Sequence, residues 1–284
     1  MNRACLAGLE MGDGRDVAVM GALNLSEASF YAGSVVASRD TLLAAAEAML
    51  SAGAAILDVG AMSTAPYLDG AVEPQREADL LAEAVLLLAR KLGAPVSADT
   101  SRALPARTAL EAGARIINDV RGLTADPGLA RAVAESGAGL IVMASERGGH
   151  EDSAPIATVL ELLAESLTLA AQAGIAAERV VIDPGIGFFR RRGIPWYEWD
   201  CAVLAALSEL RALGRPVCVG ASRKSFIGAL YPPADDPVAR LPGSIAAATA
   251  AVLGGAHLIR AHDVPATMQA VRVAQAIRDA GADA

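Results

Sequence analysis

Short apolar runs that end on a polar residue recur along the whole chain, most of them led in by a glycine. In order they read DVAVMGALN, SAGAAILDVG, KLGAPVSADT, EAGARIINDV, ESGAGLIVMAS, AERVVIDPG, LGRPVCVGAS and LGGAHLIRAHD. The runs are continuous and rich in β-branched residues, the pattern of parallel strands buried on both faces. Amphipathic stretches separate them, and Thr41 to Ser51, Ala78 to Leu92, Thr158 to Ala173 and Ala266 to Ala280 are predicted helices. A glycine after such a stretch accepts the left-handed conformation that ends a helix, and it leads straight into the next strand. About eight strand–helix units in alternation predict an α/β fold closed into a (β/α)8 TIM barrel, a single domain over residues 1–284. The same alternation is compatible with an open doubly wound sheet. At 284 residues the chain has the length of a barrel, which typically needs about 250. No linker, charge block or low-complexity stretch divides it.

The runs end on Asn24, Asp58, Asp99, Asn118, Ser145, Asp183, Ser222 and His262. A polar side chain left unpaired inside a strand costs a few kcal/mol, but at the C-terminal mouth of a barrel such groups converge on one pocket. Any one of them is equally well a helix cap or turn former. Eight of them in register favour a site.

Composition narrows the setting. A net charge of -8 disfavours nucleic acid as a partner, while leaving room for a small anion held by local Arg, Lys or N–H groups. No apolar run approaches the roughly 20 residues of a membrane span, since the most hydrophobic stretch, Ala78 to Ala89, is broken by Asp79 and Glu83. The N-terminus lacks the pattern of a signal peptide, so a cytoplasmic protein without membrane contact is expected. Cys5, Cys201 and Cys218 are scattered and odd in number, which points to free thiols.

From about Val19 to Val264 the motifs resemble those of the dihydropteroate synthases, within the pterin-binding barrels. GALNLSEASFYAGS resembles the first-strand signature, and LDVGAMSTAP the second loop, with Ser63, Thr64 and Pro66 matching. SADTSR, IINDVRGL, IDPGIGF, ASRKSFIG and IRAHDV follow in family order, each at a strand end. The resemblance implies a transferase that condenses 6-hydroxymethyl-7,8-dihydropterin diphosphate with 4-aminobenzoate in folate biosynthesis, releasing diphosphate. Related readings are an arylamine condensation of a methanopterin-type pathway and a non-catalytic pterin-binding paralogue. A corrinoid-dependent methyltransferase of the same architecture should not need Arg260, His262 or the SRKSF loop.

The resemblance also implies roles. Asp99, Asn118, Asp183 and Lys224 would meet the pterin, whose flat edge alternates donors and acceptors. Asn24, Thr64, Arg260 and His262 would hold the diphosphate, with Asn24 also placed to bind Mg2+. Arg260 and His262 alternate on one strand and so point to one face. The arylamine would lie against Phe30 and Pro66, beside Ser222 and Lys224. Asp99, Lys224, Arg260 and His262 form the catalytic set, Asp99 stabilising a pterin cation as the carbon–oxygen bond opens. Against these roles stand plainer ones: Asp183 as a turn former, Lys224 as a solvated charge, His262 as a buried hydrogen-bonded histidine. The loops around 24–34 and 60–71 are expected to move and close over the diphosphate.

Three departures stand out. Ala65 occupies the place where the family usually has an arginine in the second loop, Glu27-Ala28 replaces a Pro-Asp pair, and Val142 to Ser145 lacks a histidine motif. The segment RRRGIPWYEWD carries the chain's two Trp residues, and either packs on the barrel or covers the substrate. Its Arg190, Arg191 or Arg192 could replace the missing cation. Partners are expected to be small molecules, and the apolar residues from Ala246 to Leu253 are compatible with a homodimer.

Overall fold

The computed structural model describes residues 2–25, 35–61, 72–147, 154–190, 193–234 and 236–282. The chain opens with an antiparallel hairpin of β1 (Arg3–Leu6) and β2 (Leu9–Gly12). The barrel strands follow as β3 (Ala18–Asn24), β4 (Ile56–Gly60), β5 (Val96–Asp99), β6 (Ile116–Asp119), β7 (Gly139–Met143), β8 (Val180–Asp183), β9 (Cys218–Val219) and β10 (Leu258–Ala261). All eight are parallel, in the order β8-β7-β6-β5-β4-β3-β10-β9, and a bridge from Ile182 to Val217 brings the two ends together. This is a (β/α)8 barrel, and the open-sheet alternative falls with that bridge. Each apolar run of the sequence is one of these strands.

Helices α1 (Val35–Ser51), α2 (Pro74–Leu92), α3 (Ala103–Ala112), α4 (Pro127–Ser136), α5 (Pro155–Gln172), α6 (Trp196–Ala205), α7 (Ser225–Leu230), α8 (Leu241–Leu253) and α9 (Val264–Ala282) surround the strands. The ends of α4 have local causes. Asp126 accepts the Gly128 N–H at 2.9 Å, Pro127 fills the first helical position, and Gly137 ends the helix at φ 69. Among the described residues no helix is long and apolar enough to cross a membrane.

Alternation along each strand divides the core in two. Outward-facing Val19, Leu57, Ile117, Leu140, Ile182 and Ile259 pack with helix residues such as Leu81, Leu129 and Leu162. Inward-facing Met20, Ile56, Ile116, Ile141, Val181, Cys218 and Leu258 form a second cluster, together with Ala4, Leu6 and Met11 of the hairpin. The hairpin therefore plugs the N-terminal end of the barrel. Nothing in the sequence reading anticipated it. Its turn residues Ala7 and Gly8 both sit at positive φ, 53 and 88, where a two-residue hairpin turn ordinarily signals itself by Asn-Gly or Asp-Gly. An alanine in that place conceals the turn. Gly12 is required by space as well as by its φ of 127, because a Cβ there would lie 1.9 Å from the Asn2 carbonyl oxygen.

With the bottom plugged and the interior filled, the open end is the C-terminal one. There Asn24 pairs with Gly60, Gly60 with Asp99, Asp99 with Asn118, and Met143 with Asp183, so the polar tips share one rim. Leu6→Ala tests the plug. Leu6 is fully buried, and losing its side chain should cost roughly 2–5 kcal/mol in urea unfolding without changing ligand affinity at the far end. Unaltered stability would show that the hairpin does not complete the core.

Candidate active site

Arg260 stands at the centre of the open mouth. Its Nε donates to Asp58 Oδ2 at 2.6 Å and its Nη2 to Asp99 Oδ2 at 3.0 Å. Asn118 also donates to Asp58, its Nδ2 lying 3.2 Å from Oδ2. Asp58, Asp99 and Asn118 are all buried. The second oxygens of Asp58 and Asp99 are buried too, with no hydrogen-bond donor among the described residues. An acceptor left in that state costs roughly 1–3 kcal/mol, so the mouth favours a ligand that brings donors.

Burial sets the protonation of the cluster. It pushes the Asp99 carboxyl up to about 7, helped by the Asp58 charge and opposed by Arg260 and Lys224. It pushes Asp183 up to about 6, against the Gly185 N–H and the Lys224 and Arg260 charges. Lys224 is pushed down to about 8 by burial and then Arg260, with Asp183, Asp200 and Asp99 pulling the other way. Its ammonium lies 4.0 Å from the centre of the Phe188 ring. Lys224 is therefore no solvated surface charge, whereas Asp183 does form the turn, accepting the Gly185 N–H at 2.8 Å, and is in addition electrostatically tied to Lys224 and Arg260.

His262 lies at the rim next to β10. Its Nδ1 is 3.1 Å from Ser222 Oγ, and its Nε2 is 3.3 Å from Asn24 Nδ2. Burial, then Arg260 and Arg223, push its pKa down to about 4, so it is neutral at pH 7. Asn24 then donates to Nε2, which leaves the ring proton on Nδ1 for Ser222 and the Asn24 oxygen free. Ser222 Oγ also accepts the His262 backbone N–H at 3.2 Å. The serine expected beside the arylamine is thus committed first to fixing the histidine. Asp263 pairs with Arg223, Nη2 to Oδ1 at 2.6 Å, and braces the same corner.

The structure brings Asn24, Asp99, Asn118, Asp183, Ser222, Lys224, Arg260 and His262 to one end of the barrel. Phe30, Thr64, Pro66 and Ala65 lie outside the described residues, as do Arg191, Arg192 and most of the two loops expected to close. Asp58 received no role from the sequence, and it lies in the middle of β4; its link to Arg260 spans 202 positions and is visible only in three dimensions. Arg190 is engaged with the corner it starts from. Its Nη2 donates to the Gly187 carbonyl at 3.2 Å and to Ser225 Oγ at 2.6 Å, and its guanidinium stacks 3.8 Å from the centre of the Trp196 ring. Trp199 is buried and stacks on Phe189, ring centres 5.0 Å apart. The described part of this segment packs on the barrel.

A family model described as pterin binding enzyme matches residues 20–262. The chain belongs to the dihydropteroate synthases. It is 40% identical over 279 residues to the dihydropteroate synthase of Mycobacterium leprae, covering 93% of this chain and 95% of that one. It is 35% identical to the enzyme of a Synechocystis strain, covering 93% and 91%. The Burkholderia cenocepacia dihydropteroate synthase solved with 7,8-dihydropteroate superimposes with a TM-score of 0.85 at 34% identity, over 100% of this chain and 99% of that one. The Xanthomonas albilineans enzyme solved with 4-aminobenzoic acid gives 0.84 at 34% identity, over 97% and 98%. Membership makes this protein a transferase.

The raised pKa of Asp183 has a measurable consequence. The folded state holds the proton more tightly than the unfolded chain, so the stability this carboxyl contributes is greatest at low pH and falls as pH rises through about 6. Asp183→Asn should therefore gain on the parent as pH rises from about 4 to about 6 and hold that gain above it, by roughly 1–3 kcal/mol in denaturant midpoint experiments. A difference that does not vary with pH would contradict the burial argument.

Proposed function

We propose that the C-terminal mouth of this barrel condenses 6-hydroxymethyl-7,8-dihydropterin diphosphate with 4-aminobenzoate, releasing diphosphate, as a step of folate biosynthesis. The observation that carries the reading is the shared cluster of Asp58, Asp99, Asn118, Asp183, Lys224 and Arg260, joined by hydrogen bonds and mutual charge. In this reading the aminopyrimidinone edge supplies N–H donors to Asp183 and Asp99, while Asn118 and Lys224 answer its nitrogen and carbonyl acceptors. The remaining N–H groups of Arg260, with Asn24, Thr64 and His262, face the diphosphate. Phe30, Pro66, Ser222 and Lys224 flank the arylamine, whose ring Phe188 also adjoins.

The reaction breaks the bond between the pterin methylene carbon and the diphosphate oxygen, and the electron pair leaves with the diphosphate. The amine nitrogen forms the new bond to that carbon and gives up one proton to solvent. As the carbon–oxygen bond opens ahead of attack, positive charge spreads over the pterin, and the Asp99 carboxylate, held in place by Arg260, stabilises it. The arriving anion favours protonation of His262, and the protonated Nε2 then donates to the leaving group in place of accepting from Asn24.

Magnesium fits the mouth only as a partner of the substrate. The described residues hold no cluster of three or more His, Cys, Asp or Glu side chains that could cage an ion. Asn24 offers one hard oxygen, and Mg2+ commonly completes its shell with water and phosphate oxygens. When bound, the ion would neutralise diphosphate charge. We further place the protein in the cytoplasm, as one domain, and assign a homodimer contact to the exposed apolar residues Leu253 on α8 and Val273 and Ile277 on α9.

Calorimetric titration with the pterin diphosphate, with and without Mg2+, followed by assay of diphosphate release with 4-aminobenzoate, tests the reading. Binding without turnover would sink it in favour of a pterin-binding paralogue. Asp183→Ala should weaken pterin binding roughly tenfold to a hundredfold, since it leaves buried donors unpaired; an unchanged affinity refutes the assignment. His262→Ala should leave affinity for the pterin without diphosphate intact while raising KM for the diphosphate ester. Equal losses for both ligands would place His262 elsewhere.

A further inference from the structure

Asp200 is a fully buried carboxylate that no step above uses. It projects from α6 to the loop after β8, where its Oδ1 accepts the Gly187 N–H at 2.8 Å. The other face of Gly187 is held as well, because its carbonyl accepts from Arg190. Lys224 rests on this clamped glycine. A Cβ at Gly187 would lie 2.9 Å from Lys224 Cδ, and Gly187 keeps a φ of 85 that only glycine adopts without strain. The second oxygen of Asp200 is buried with no hydrogen-bond donor among the described residues. A carboxylate satisfied on one side alone is an expensive way to anchor a loop, since a neutral Asn could hold the same N–H. Its charge therefore needs a reason. The cations it attracts are Arg190 and Lys224.

We infer that Asp200 is a positioning residue for Lys224: its carboxylate fixes the Gly187 peptide beneath the lysine stem, and its charge keeps the ammonium protonated at the mouth. The groups facing Lys224 make that contribution matter. Asp183 on β8 and Asp99 on β5 favour the ammonium, Arg260 on β10 opposes it, and His262 beside it is felt across the same space. Burial outweighs the attractive charges and brings Lys224 down to about 8, close enough to neutrality that losing one anion changes its protonation under working conditions. The inference deepens the proposed role of Lys224 and rests on that reading for its catalytic consequence.

The chain has only two lysines, Lys91 and Lys224, so ε-13C lysine labelling of the full chain gives one titrating resonance for each, assigned with Lys91→Arg. Asp200→Asn keeps an oxygen for Gly187 and removes the charge. The Lys224 midpoint should fall by roughly half a pH unit or more, with Lys91 as reference in the same sample, and the alkaline limb of kcat/KM should move down with it. Were Asp200→Asn to misfold, Asp200→Ser, which retains a hydroxyl acceptor, carries the same comparison. A merely structural Asp200 would alter stability and leave the Lys224 midpoint in place, and that result overturns the inference. A lowered midpoint with an unmoved alkaline limb upholds the coupling and counts instead against Lys224 as a group in the reaction.

Discussion

The ion cluster of Arg260 with Asp58 and Asp99 sets the character of the whole mouth. Two buried carboxylates grip one guanidinium at 2.6 and 3.0 Å, and the second oxygen of each is buried with no donor among the described residues. Charges this deep survive only when balanced, because desolvation of each costs several kcal/mol. The balance is incomplete. Asp183 adds a further carboxylate and Lys224 a further cation, and the result is a set of acids held above their ordinary range beside an amine held below its own. Such a cluster is poor at stabilising the protein and well suited to a flat ligand that carries several N–H donors.

The barrel makes the cluster affordable by separating its two ends. The inward residues of the lower strands, sealed by Leu6 and Met11 of the hairpin, are apolar apart from Ser97 on β5 and carry the packing. One or two residues further along the same strands the inward positions turn polar, at Asp58, Asp99, Asn118, Asp183 and Arg260. Stability and chemistry thus share strands but not residues, and the two-residue repeat of a strand keeps both on the inner face.

Around the mouth, a second tier of residues fixes the ones at its rim. Ser222 and Asn24 choose the tautomer of His262, and Arg223 with Asp263 braces its corner. On the opposite side, Phe189, Arg190, Trp196, Trp199 and Asp200 form a packed buttress under the loop that carries Gly187 and Phe188. A segment that departs from the family's motifs in sequence thus serves the placement of Lys224, a residue that matches them.

The chain alone determined the fold class and the register of the rim. Short apolar runs with a polar residue at or just beyond their end dictate parallel strands and put Asn24, Asp99, Asn118, Asp183 and His262 at one end, because local periodicity fixes which way each residue faces. It did not reveal the hairpin plug, since Ala7 hides a turn that Asn or Asp would have announced. Nor did it assign Asp58, seat Arg190 on Trp196, or make His262 neutral. Those outcomes depend on contacts between residues far apart in the chain and on the burial each side chain finally receives, and neither quantity is a property of a local stretch of sequence. Tertiary structure decided them because a charge's protonation and partner are set by the medium and the neighbours that folding places around it.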